Sequence, residues 1–205
     1  MRKVFGIKPV LLSSIVIALS GLLIGAAPAF GAEKGLDKGK VGKILKTTKD
    51  LSGRDLSGLD LSGVDLSEAK LDNAKLVNAK LRKAKLYRTQ LAGADLTGAD
   101  LIGANLMNAN FRGAKLVNVK AVKAYVHCSG MDGADLSGAD FSEAHMEISD
   151  FPGAKLKGTI FRGANMKGVE LSGADVEGAD FAGATLTDAK NMDKVLNADK
   201  AKGLK

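Results

Sequence analysis

The sequence predicts a repeat solenoid rather than an ordinary globular domain, and two observations carry that expectation. From Leu51 to Leu186 every fifth residue is apolar, 28 times in succession without an insertion. Packed helices or ordinary strands would beat at about 3.6 or 2 residues instead. The surroundings of each beat repeat as well: a small residue two positions before, a polar residue on either side, and Gly or Asn two positions after. Ala94-Asp95-Leu96-Thr97-Gly98 follows this idiom closely and Ala139-Asp140-Phe141-Ser142-Glu143 more loosely. Self-similarity at one short period is the signature of stacked units that bury a continuous core.

Units such as Ala134-Asp135-Leu136-Ser137-Gly138 and Ala174-Asp175-Val176-Glu177-Gly178 resemble the pentapeptide-repeat family, and the resemblance runs over residues 49–188. It implies an all-β fold, a right-handed quadrilateral β-helix. In that family four pentapeptides make one square coil, with the central residue and the residue two before it pointing inward. At that coil length residues 49–188 make about seven coils, a rod roughly 30 Å long at ~4.8 Å strand spacing.

The sequence itself supports a 20-residue coil. One inner column then holds Phe141, Phe161 and Phe181, and the opposite one holds Phe111 and Phe151 around Met131. One outward column reads Asp55, Lys75, Asp95, Lys115, Asp135, Lys155, Asp175, with the sign of charge alternating at every step. The next reads Asp60, Lys80, Asp100, Lys120, Asp140, Ile160, Asp180 and breaks alternation once. Opposite charges on neighbouring strands attract and like charges repel, so the banding is expected to lock each coil in register with its neighbours. Corners of type II turns need a residue tolerant of positive φ at the second central position. Two corner columns, from Gly53 to Gly173 and from Gly58 to Gly178, hold only Gly and Asn. The corner with Glu68, Arg88, Cys128, Ile148 and Asp188 does not, and is expected to turn mostly in another way.

Both ends depart from the repeat. Residues 1–31 read as an export signal: Arg2, Lys3 and Lys8, an apolar run from Val10 to Ala27, and small residues around Ala27-Pro28-Ala29 and Ala29-Phe30-Gly31. Cleavage is expected after Ala29 or Gly31. The run is also long enough to remain as an uncleaved membrane anchor. The expected compartment is a periplasm or lumen, with membrane anchoring or release to the exterior as alternatives. The single cysteine, Cys128, suits an exported chain whose repetitive core needs no disulfide. Residues 32–48 form a lead-in and N-terminal cap with a helical stripe of Leu36, Val41, Ile44 and Leu45. Residues 189–205 form a C-terminal cap and basic tail with a shorter stripe of Met192, Val195 and Leu196. Such covers are expected because an open β-helix end invites edge pairing. Many exported family members carry a cysteine pair where this chain has Leu51 and Arg54, so no disulfide or redox role is carried over to that end.

The formal charge of +7 sits outside the repeats, which hold 17 basic against 19 acidic residues. No clustered basic face of the kind nucleic-acid binding requires emerges from the banding. No Ser/His/Asp arrangement, phosphate-cradling loop or inward carboxylate pair appears, and solvated carboxylates lack the burial that tunes a group for acid/base work. A noncatalytic protein with no cofactor is therefore expected. Chemically rich residues gather only where the idiom lapses, between Val119 and Met131. One coil of offset brings Tyr125 beside His145, so Tyr125, His127, Cys128 and His145 form one candidate patch for a protein partner. The leading expectation is an exported structural or protein-interaction rod whose partner and oligomeric state the sequence leaves open. Two alternatives are weighed. One is a gyrase-shielding DNA mimic, which the resemblance suggests through the family's quinolone-resistance proteins. The other is a metal or redox protein using the same four residues, although a metal would need ligands converging within bonding distance.

Overall fold

A computed structural model describes residues 36–204. The expected signal or anchor, residues 1–31, lies outside the described residues, as do residues 32–35 of the lead-in. Within the described part, every fifth residue pairs in parallel with the residue 20 positions on, from Asp50 with Lys70 to Glu170 with Lys190. The chain therefore winds as a β-helix with 20 residues per coil. Each pairing is a single bridge between turns, because two residues of every pentapeptide are spent on a corner and no longer strand has room to form.

One pentapeptide shows how the backbone is satisfied. Leu136 N–H donates to Lys155 O at 2.8 Å and Gly138 N–H to Lys157 O at 2.9 Å, both to the following coil. Asp140 N–H reaches back to Val119 O at 2.8 Å, and Ala139 N–H closes the turn on Leu136 O at 2.9 Å. Only the N–H of Ser137 has no backbone acceptor in this scheme; Asp135 Oδ1 takes it at 3.1 Å. Buried or half-buried backbone donors need partners, and an acidic or amide side chain just before the beat supplies the missing one. The same bond recurs from Ser57 to Asp55, Thr97 to Asp95, Met107 to Asn105 and Ala182 to Asp180.

The corner expectation needs correction. The residue two after each beat has positive φ in all four corner columns, including Glu68 at 61°, Arg88 at 55°, Cys128 at 56°, Ile148 at 55° and Asp188 at 60°. That corner does not turn in another way. Its N–H groups bond to the next coil as at the glycine corners, for example Cys128 N–H to Glu147 O at 3.0 Å. Continuity of the ladder imposes the left-handed conformation whatever the residue, at a cost of about 1–2 kcal/mol for a side chain with Cβ.

The interior is one apolar column system. The beat residues from Leu51 to Phe181 are fully buried, and the residues two before them are mostly buried alanines. Phe161 stacks on Phe141 and on Phe181 at centroid distances of 6.0 and 5.0 Å, and Phe151 meets it edge-on across the interior at 6.4 Å. Phe111, Met131 and Phe151 are buried as expected. Thr89, Ser129, Ser149 and Thr159 replace inner alanines, and each hydroxyl donates to a carbonyl of the preceding coil at 2.8–2.9 Å.

At the N-terminal end helix α1, Lys38–Thr47, follows an Asp37 N-cap that accepts from Lys40 N–H at 2.8 Å. Val41 is fully buried in the same apolar cluster as the beat residues, with Leu36 nearly so and Ile44 and Leu45 packed against it. The C-terminal stripe turns out differently. Instead of an α-helix the chain makes two short 3-10 turns, Met192–Lys194 and Ala198–Lys200, each opened by an asparagine in the left-handed region. The coil continues around them, with Asp175 bridging Leu196 between the two turns and Asp180 bridging Lys202 after the second. Met192 and Val195 pack on the core, whereas Leu196 stands on the outward bridge and is 53% exposed.

Candidate functional site

The irregular stretch keeps the coil. Ala121, Val126 and Met131 remain fully buried, and bridges run unbroken through Lys120–Asp140, Tyr125–His145 and Gly130–Asp150. Its outward side chains are thus held on a backbone as regular as any other part of the rod. Tyr125 and His145 occupy one bridge column, and their rings stack at 5.0 Å with planes 6° apart. Asn105 and Asn165 flank them in the coils on either side. His127 and Cys128 follow at the adjoining corner, Cys128 exposed as a free thiol and His127 half-buried. Three of the four predicted residues are exposed together on this edge, and the fourth lies beside them.

Sequence reasoning missed the residue that ties the patch together. Glu147, one coil beyond His127, places its carboxylate 3.8 Å from His127 Nδ1 and 4.0 Å from His145 Nδ1. Asn165 Nδ2 donates to the same carboxylate at 2.5 Å. The available signal was the 20-residue offset from His127. The sequence marks Ile148 only as a corner residue poorly suited to positive φ. Ile148 is 54% exposed, against 49% for Tyr125, and these two with Leu196 are the large apolar residues most open to solvent among the described residues.

Chemically the arrangement offers aromatic faces, amides, imidazoles and a carboxylate on an open surface. Among the described residues, no group of three or more His, Cys, Asp or Glu is placed to hold a metal ion. No described helix is long and apolar enough to cross a membrane.

The charge columns are real neighbours, with Asp95 bridged to Lys75 on one side and Lys115 on the other. Their chemistry differs from simple ion pairing. Within the Asp55-to-Asp175 column Lys155 lies 3.8 Å from Asp135, but closer contacts run diagonally, as from Arg82 to Asp100 at 2.6 Å and Arg162 to Asp180 at 2.7 Å. Hydrogen bonds from Thr97 hold the Asp95 carboxyl below its ordinary range before the neighbouring lysines contribute. Ser57, Ser62 and Ser67 do the same for Asp55, Asp60 and Asp65.

A family model described as pentapeptide repeats matches residues 50–82, 84–120, 131–168 and 149–188 in eight copies. The chain belongs to the pentapeptide-repeat family. With that membership comes the right-handed β-helix solenoid. The match leaves out residues 121–130, the decade that holds Tyr125, His127 and Cys128. Similar solved structures include HetL, a pentapeptide repeat protein involved in heterocyst differentiation regulation in Nostoc, at 26% identity over 82% of this chain and 95% of that one, TM-score 0.30. A pentapeptide repeat protein of the Arabidopsis thaliana thylakoid lumen is 27% identical over 69% of this chain and 74% of its own, TM-score 0.29. QnrB1, a plasmid-mediated fluoroquinolone resistance protein, is 20% identical over 73% of this chain and 84% of that one, TM-score 0.48. None of the curated proteins matches the chain.

Proposed function

We propose that this protein is a noncatalytic interaction rod that engages a protein partner through the edge carrying Tyr125, His127, Cys128 and His145, joined by Glu147 and Ile148. One observation carries the reading: the outward side chains depart from the repeat idiom while the backbone beneath them does not. Side chains that the coil does not require, exposed on a rigid frame, are the usual material of a recognition surface. In this reading the rod has about seven coils, with α1 covering one end and the two 3-10 turns closing the other, so that edge pairing is blocked at both. The partner is met after export, with residues 1–31 acting as the signal or anchor and a periplasm or lumen as the compartment.

The test is site-directed photocrosslinking in the native cell, with fractionation of the same cells. A photoreactive residue at position 125 should give a defined crosslinked protein that position 115, on another face, does not give. The rod should fractionate outside the cytoplasm. Equal products at both positions would remove the edge as the site, and a cytoplasmic mature chain would remove the export reading.

A further inference from the structure

The exposed apolar side chains of the edge sit in an unusual electrostatic setting. Ile148, β-branched and therefore poorly suited to the left-handed region, is held there at φ 55°. It lines a shallow groove of about 410 Å³ with Glu147, Lys167, Gly168, Asp188 and Lys190. Gly168 stands one coil further on, and a Cβ there would meet Ile148 Cγ1 at 3.8 Å, so the isoleucine reaches over a bare corner. In the alternating columns carboxylates face lysines, but beside this groove Asp150 bridges Glu170. Burial raises the Asp150 carboxyl above its ordinary range, and the nearby charges of Asp132 and Glu170 add to that. Lys167 is engaged with Asp188 at 3.8 Å. Lys190 bridges Glu170, whose carboxylate also accepts from Ser172 N–H and Asn191 Nδ2, and Glu147 lies near His127 and His145, so Asp150, bridged to Gly130 and Glu170, is the carboxylate here whose own column neighbours hold no cation.

We propose that the groove at Ile148 takes a basic, apolar-interleaved polypeptide segment, whose apolar side chain covers Ile148 and whose cations meet Glu147, Asp150 and Glu170. This rests on the interaction reading above and supplies its partner class. The isoleucine accounts for the apolar half: glycine would suit the corner better, yet a branched apolar side chain is presented to solvent. Asp150, which faces Glu170 across the bridge, accounts for the cationic half, because a bound cation relieves its repulsion and complementary charge selects the partner.

The test uses purified protein and two fluorescein-labelled heptapeptides, one alternating Lys and Leu and the other alternating Glu and Leu, followed by anisotropy at low salt. The Lys/Leu peptide should bind at least about tenfold more tightly than the other. Ile148→Gly should weaken it about fivefold or more while raising the melting temperature, because glycine relaxes the corner as it removes the contact. Asp150→Asn with Glu170→Gln should weaken it similarly, and Asp95→Asn, in a different column, should not. Equal binding of both peptides, unchanged affinity in Ile148→Gly, or equal loss in Asp95→Asn would overturn the proposal. If the position-125 crosslink persists while the peptides are not distinguished, the partner class alone is wrong. If that crosslink also fails, the interaction reading falls with it.

Discussion

At Asp95 one carboxylate serves two roles. It accepts from the N–H and hydroxyl of Thr97, at 3.0 and 2.7 Å, and it lies between two lysines of adjacent coils. Asp95→Lys loses both, so a cost of about 1–2 kcal/mol is expected. Added salt should recover only the repulsive share, measured as melting in 0.05 and 0.5 M NaCl. Asp95→Asn keeps an acceptor, as Asn105 does for Met107, and should cost less. Full rescue of Asp95→Lys by salt would show that the local hydrogen bonds contribute nothing. Gly98 gives a steric counterpart: φ is 68° and a Cβ would collide with Asn78 Oδ1. Gly98→Ala should destabilise by about 1–2 kcal/mol, and Asn78→Gly in the same chain should return part of it. The sequence showed which positions prefer glycine and which charges alternate. It did not show that Glu68, Arg88 and Ile148 accept the same corner, because the decisive term is the hydrogen bond each corner N–H makes to the next coil. Glu147 stayed hidden for another reason: a single acidic residue after a beat has no meaning until its neighbour 20 positions earlier is known to be His127.

Columns are the elements of this rod, and their stability is collective. Leu96, Leu116, Leu136 and Leu156 form one buried column, so Leu136→Asp places a carboxylate where no partner exists. A Leu to Ala change already costs about 2–5 kcal/mol, and an unpaired buried charge costs more. Circular dichroism should show loss of the rod's cooperative melt, and an unchanged melt would refute the inward register. The register and both phenylalanine columns were legible because a 20-residue coil fixes which residues stack. The end elements were less so. The stripe ahead of the coils became α1, but Met192 and Val195 were drawn into a continuing coil. Its outward rungs at Leu196 and Lys202 already bond to Ala174 and Ala179 at 2.9 and 2.8 Å, which leaves too few free residues for an α-helix.

For the whole molecule, acid is a discriminating variable. Asp55, Asp65 and Asp95 have carboxyls lowered by hydrogen bonds from the serine or threonine two residues on. Their stabilisation is complete above the unfolded value near ~3.9 and disappears as pH falls through the lower folded values. The melting temperature should therefore decline below about pH 4. Asp150 has the opposite sign: its raised carboxyl penalises the folded state when ionised. Asp150→Asn should raise the melting temperature at pH 7, and the gain should vanish below about pH 4, where the unfolded chain is protonated as well. The fold was readable from one repeat because every coil solves the same hydrogen-bonding problem. The patch was half readable, since Tyr125, His127, Cys128 and His145 are visible as departures from an idiom while the groove at Ile148 exists only once the corner is built.

The central claim is that the patch serves a partner and not the fold, and the variant carrying Tyr125→Ala with His145→Ala tests it most directly. Thermal melting and capture of the photocrosslinked partner would be measured on the same preparation, with the tagged double variant competing against wild type. The account predicts a melting temperature within a few degrees of wild type, since exposed substitutions usually cost under ~0.5 kcal/mol, together with loss of competition for the partner. A drop in melting temperature comparable to that of a core variant, or undiminished competition, would contradict it.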